Sequence, residues 1–210
     1  MDSYPPKEVL KDLIDGKLDW PRVKQIMSSP KDADRFEKYV ALMQERVRWP
    51  EKILLPLGEH LFVVAKGKER IVKCDCGNEF GDWRDNWKLQ AVVFVRNTAE
   101  RLAELYPGPR SPDPAWCEIR EFYCPGCGAQ LEVENVPPGY PVSFDFLPDI
   151  DGFYAQWIGK PLSDEVPAED RSSDVTRRWA NELSRKAKEK VARHGNSNAG
   201  RATSAKRVGK

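Results

Sequence analysis

Lys73-Cys74-Asp75-Cys76-Gly77 and Cys124-Pro125-Gly126-Cys127-Gly128 decide how this chain of 210 residues folds. Each is a tight turn carrying two sulfurs, with a glycine directly behind the second. Such a turn lets both thiolates converge on one cation, and glycine accepts backbone angles that a side chain resists. Four thiolates at tetrahedral spacing suit zinc, so Cys74, Cys76, Cys124 and Cys127 are the expected metal ligands. The Cys-x-x-Cys half is a strong signal here; the Cys-x-Cys half would be weak alone. The 47 residues between the pairs are a long insertion for a zinc ribbon, yet ligands need only meet in space. An iron–sulfur cluster or a redox-active dithiol at Cys124 and Cys127 would use the same residues, although the redox reading leaves Cys74 and Cys76 unexplained. With four protein ligands a zinc ion has no open position for water or substrate, so it would hold the fold and perform no chemistry.

Working outward, short β-type runs flank both turns. Ile53 to Leu57, Leu61 to Ala65 and Arg70 to Lys73, separated by Gly58 and Lys66-Gly67-Lys68, read as a meander leading into the first cysteines. Leu89 to Val95 reads as a further strand, and Thr98 can cap a short helix reaching Leu105. Strands resume at Glu118 to Tyr123, Gln130 to Val136 and Val142 to Phe146, with the second cysteine pair in the turn between the first two. Upstream, Val9, Leu10, Leu13 and Ile14 share a helical face that stops at Gly16. A second helix starts behind Asp19, and a third carries Phe36, Tyr39, Val40, Met43 and Val47 until Trp49-Pro50 forbids continuation. The expected fold is α+β, with N-terminal helices over 1–50 packed on a β-rich, zinc-ribbon-like domain over 51–160. Residues 161–210 read as a linker and basic tail. In the tail Val175, Trp179, Leu183, Ala187 and Val191 suggest a basic amphipathic helix, and His194 to Lys210 is expected to be disordered.

The charge is distributed accordingly. From Arg171 to Lys210 there are 12 Lys and Arg against 3 Asp and Glu, a local +9, which leaves 22 against 30 in the body, or −8. The near-neutral total of +1 thus hides an acidic body and a basic tail. No stretch approaches the roughly 18 apolar residues of a membrane span, and the N-terminus lacks an export pattern. Paired cysteines without a secretory signal place the expected home in the cytoplasm. Cys117 reads as a small buried hydrophobe, and His60 and His194 as structural or solvated. With no Gly-Lys-Ser/Thr phosphate loop either, no autonomous catalytic or cofactor-binding site is visible.

Several stretches resemble the gamma subunit of acetone carboxylase. They are Asp15-Gly16-Lys17 with Ser29-Pro30-Lys31-Asp32, then Lys73 to Gly77, and Asp85-Asn86-Trp87-Lys88-Leu89. Ile119 to Gly128 and Phe146-Leu147-Pro148-Asp149-Ile150-Asp151-Gly152-Phe153-Tyr154 complete the set. The similarity runs from about residue 8 to 160; the tail after about Pro161 has no counterpart. The resemblance implies a heterohexameric, ATP-dependent carboxylase that turns a ketone and bicarbonate into a 3-oxo acid. In that family the large alpha and beta subunits carry nucleotide activation and a manganese site, while the small subunit binds zinc through cysteines that match Cys74, Cys76, Cys124 and Cys127. The related acetophenone carboxylase has a comparable subunit, which leaves the ketone open.

Aromatic residues point the same way. Trp83 to Trp87, the prolines at 137, 138 and 141, and the Phe144 to Trp157 stretch hold more aromatic surface than a small zinc core buries, so a partner would cover it; the alternative is packing on the helices at 7–47. A zinc-ribbon nucleic-acid-binding protein is the competing function, since a +9 tail can neutralise phosphates. The acidic body argues against it.

Overall fold

Leu61-Phe62-Val63-Val64 is apolar at four successive positions and buried at all four, because the sheet that holds it is covered on both faces. A computed structural model describes residues 5–164 and scattered positions between 174 and 189. The first sheet is an antiparallel meander of β1 (Lys52–Pro56), β2 (Leu61–Lys66), β3 (Glu69–Cys74) and β4 (Glu79–Asp82), in that order. On one face Ile53, Phe62, Val64 and Ile71 meet Leu10, Leu42 and Met43 of the N-terminal helices. On the other, Leu61, Val63, Val72 and Cys74 join the core described below.

Those helices are α1 (Lys7–Ile14), α2 (Trp20–Ser28) and α3 (Arg35–Arg46), close to the spans that periodicity predicts. Asp19 caps α2, its Oδ1 accepting from the Arg22 amide at 3.0 Å, and Pro21 sits in the first turn where its missing N–H costs nothing. Gln44 ties α3 to β1 by donating to Glu51 O and accepting from Ile53 N.

The second sheet has three antiparallel strands, β5 (Val92–Arg96), β6 (Glu118–Tyr123) and β7 (Gln130–Val136). The spans of β6 and β7 are those read from the sequence. Two expectations are corrected. Leu89 does not begin a strand: Trp87–Gln90 forms a 3₁₀ turn capped by Asn86, and β5 starts three residues later. Nor is Val142 to Phe146 a strand; it runs without regular structure, and Asn86 Nδ2 donates to Val142 O at 3.1 Å. Thr98 caps α4 (Ala99–Ala103), two residues shorter than expected.

One element went unread. Asp149 caps a helical turn, α5 (Ile150–Gly152), which widens into π-type turns over Phe153–Ile158. It locks onto the first sheet through polar anchors that carry no periodicity. Arg70 of β3 holds both carboxylate oxygens of Asp151, at 2.7 and 2.6 Å, and also donates to Asp164 O, so the start of the expected linker is pinned. The Tyr154 hydroxyl donates to Leu54 O at 2.8 Å, while Phe153 and Tyr154 stack edge-on against Phe36 of α3. The remaining expected linker, the apolar stripe Val175 to Val191 and the tail beyond His194 lie outside the described residues.

The shared core joins Trp83, Trp87, Phe80 and Phe122 with the inner face of the first sheet and with Ile150 and Tyr154. Trp83 and Trp87 are therefore core residues, which corrects their assignment to a partner surface. Phe146 and Trp157, from the same set of aromatics, do stand exposed.

Candidate metal centre

β3 and β4, like β6 and β7, are neighbouring antiparallel strands, and each hairpin tip is a cysteine turn. In the first, the Cys74 amide donates to Asn78 O at 2.8 Å and the Gly77 amide to Cys74 O at 2.9 Å. The second repeats this form: Cys124 N to Ala129 O at 2.9 Å and Gly128 N to Cys124 O at 2.8 Å. Gly77 and Gly128 sit at φ of 103° and 75°, where a side chain would strain the turn.

The tips meet. The four sulfurs of Cys74, Cys76, Cys124 and Cys127 lie within 4.8 Å of one another. Across the tips, Cys74 Sγ is 3.9 Å from Cys127 Sγ, and Cys76 Sγ is 3.7 Å from Cys124 Sγ. A tetrahedron with metal–sulfur bonds of about 2.3 Å has edges of about 3.8 Å, so these separations suit one ion at the centre. A disulfide needs about 2.05 Å, and all five cysteines are free thiols. A multi-iron cluster places its thiolates on separate iron atoms and needs a wider set. A tetrahedral sulfur cage is the donor set of a single zinc or iron ion.

Contact between the tips is close enough to dictate residue type. A Cβ on Gly126 would lie 3.0 Å from Asn78 Cβ and 3.4 Å from Cys76 Sγ. Cys74 and Cys124 are buried, Cys76 and Cys127 exposed, so the cage sits at the edge of the core with one sulfur of each turn inside. Burial pushes the Cys74 thiol well above its ordinary range. A cation among the sulfurs would reverse that preference, because metal coordination deprotonates a thiol.

Two supports lay beyond the cysteine motif. Trp49, just past α3, donates its indole N–H to Cys74 O at 3.2 Å and Asp75 O at 3.1 Å. His60 Nδ1 lies 2.6 Å from Asp75 Oδ2, and the Asp75 amide donates to His60 O at 3.0 Å. His60 thus braces the first tip. Only distant pairing assembles these groups, so no local motif announces them. Cys117 departs from its expected burial: it is half-buried, donating to Asn135 Oδ1 at 2.7 Å.

A second charged cluster lies under the other sheet. The Lys88 ammonium is almost wholly enclosed and donates to Glu132 at 2.7 Å, Glu134 at 2.5 Å and Asp145. Burial alone would lower the lysine pKa; the three carboxylates outweigh it and hold Lys88 above its ordinary value. No local motif announces this cluster, since its carboxylates lie 44 to 57 residues from Lys88. Among the described residues no helix is long and apolar enough to cross a membrane.

Residues 47–158, from just past α3 to the end of the π-type turns, match the family model described as acetone carboxylase gamma subunit. Over 159 residues the chain is 48% identical to the acetone carboxylase gamma subunit of Xanthobacter autotrophicus, spanning 75% of this chain and 95% of that one. Over 116 residues it is 36% identical to the acetophenone carboxylase beta subunit of Aromatoleum aromaticum, spanning 54% of this chain and 83% of that one. Together with the two sheets that the matched segment contains, these similarities establish that the chain belongs to the acetone carboxylase gamma subunit family.

Proposed function

We propose that this chain is the small, non-catalytic subunit of an ATP-dependent ketone carboxylase, a ligase that joins acetone and bicarbonate into acetoacetate. Cys74, Cys76, Cys124 and Cys127 would hold one structural zinc ion, giving the β-rich region a zinc-ribbon-like character. The observation that carries this reading is the sulfur cage of near-tetrahedral dimensions bridging two hairpins in a member of this family. Four thiolates close the ion's coordination, so it would weld the tips together and leave activation of ketone and bicarbonate to other chains. ATP and Mn2+ belong to the large alpha and beta subunits, with which this chain would assemble as a cytoplasmic heterohexamer. An aryl ketone is the second reading, motivated by the acetophenone carboxylase relative. Acetone is preferred because that similarity is both higher and covers more of the relative.

Expression of the chain alone and with its large subunits tests the proposal. The expected outcome is one zinc per chain, co-elution with the large subunits, and no ATP turnover by the chain alone. Metal-free protein that assembles normally would remove the zinc from the argument, and ATP turnover by the isolated chain would overturn the non-catalytic role.

A further inference from the structure

One face of the second sheet packs on the core; the other is covered in part, with Ile119 and Glu121 buried, and leaves an apolar row at Val92, Phe94 and Val133 in view. Register makes the two faces explicit: Phe94 pairs with Glu121 and Glu121 with Val133, so these three lie in one row on one face. Alternation adds Val92, Tyr123 and Ile119 to that face. Phe122, Glu132 and Glu134 occupy the opposite face, against Lys88 and Trp87. An outward face of an antiparallel sheet normally carries polar residues. Here Val92, Phe94 and Val133 are 55%, 37% and 50% exposed and the one carboxylate in the row, Glu121, is buried beneath Arg96 and Tyr123.

The patch has a definite charge. The guanidiniums of Arg96 and Arg101 stand 4.9 and 5.2 Å from the centre of the Phe94 ring. Arg96 is neutralised by Glu121 and Glu104, whereas among the described residues Arg101 makes no ion pair and donates only to Val95 O. An apolar row with an unneutralised cation at its rim fits an occupant that brings an apolar face and a carboxylate. A second copy of this chain does not, since two-fold pairing centred on Phe94 would set Arg101 against its own equivalent. This chain's segment 171–210, at +9, brings like charge to Arg101 and is the poorer match to this rim.

We infer that the outward face of the second sheet, centred on Phe94, Val92 and Val133, is the surface on which a large carboxylase subunit docks, through an apolar segment carrying an acidic residue opposite Arg101. This rests on the subunit role proposed above. The cysteine cage lies at the tip of the β6–β7 hairpin of the same sheet, so a zinc ion there would fix the orientation of the docking face.

Co-expression of the large subunits with wild-type chain, with the double variant Phe94→Glu/Val133→Glu, and with Trp157→Glu tests this, Trp157 being an exposed aromatic of the π-type turns and not part of the second sheet. The double variant should lose at least tenfold in recovered complex while keeping the wild-type zinc content and melting temperature, and Trp157→Glu should assemble normally. Arg101→Glu should weaken assembly, and raised salt should weaken the wild-type complex. Hydrogen exchange on the wild-type complex supplies a check that needs no variant: amides of 92–96 and 130–136 should gain protection on assembly. Undiminished assembly of the double variant, or unchanged exchange over both segments, overturns the assignment. A wild-type chain that does not co-purify at all would instead defeat the subunit role. A chain that dimerises alone through Phe94, with no effect on the large complex, would replace the partner with a second copy.

Discussion

β2 and β5 are written in nearly the same letters, Leu61-Phe62-Val63-Val64-Ala65-Lys66 and Val92-Val93-Phe94-Val95-Arg96, yet their fates are opposite. Phe62 is 1% exposed between the helices and the first sheet, whereas Phe94 is 37% exposed on the open side of the second. Strand propensity is the same in both; what differs is how many layers cover each sheet. An apolar run in the middle of a two-sided sandwich is core. The same run at an edge, with one face covered only in part, is an invitation to another chain.

The largest blow to this contrast would be loss of the proposed zinc, whose four cysteine ligands would join both sheets. Structural zinc is worth on the order of 10 kcal/mol in small modules, comparable with the ~5–15 kcal/mol net stability of a domain. Chelation or Cys127→Ser should therefore collapse cooperative unfolding and yield poorly soluble chain, as seen by calorimetry and by zinc release. Next comes the direct comparison. Phe62→Ala should cost about 3–5 kcal/mol in denaturant unfolding, and Phe94→Ala under about 1 kcal/mol. Equal losses would mean that β5 is as covered as β2.

Smaller again is the charged underside of the second sheet. Lys88→Met leaves Glu132, Glu134 and Asp145 without their common cation. A loss of about 2–3 kcal/mol is expected, below that of a fully buried pair because water reaches Glu132 and Asp145. Lys88→Met/Glu134→Gln should recover part of it. The smallest effect is titration of Glu132. Burial raises its pKa above the ordinary 4.5, and Lys88 opposes this only in part. A carboxyl that holds its proton more tightly when folded contributes less stability as pH rises through the window above 4.5. Wild type should thus lose stability relative to Glu132→Gln across that window and hold a constant difference above it. A difference that stays level as pH rises would show that the lysine fully compensates the buried carboxyl.

Much of this architecture was legible in advance, and the failures share a cause. The N-terminal helices, β6 and β7 were readable because periodicity and caps are local. Trp83 and Trp87 were misassigned because a tryptophan's burial depends on what folds over it, here Phe80, Phe122 and the first sheet. α5 escaped notice because its stability comes from Arg70, 81 residues away from Asp151. The Trp49 and His60 braces of the first cysteine turn escaped for the same reason.

By itself the sequence determined the two cysteine turns, their glycines and the strands that carry them, since thiolate spacing and backbone angles are properties of a few adjacent residues. Only the tertiary structure decided that the turns meet, that Lys88 is buried among carboxylates, and which of two similar apolar strands faces water. Each of those outcomes depends on which layer is placed against which, and no stretch of chain read alone contains that choice.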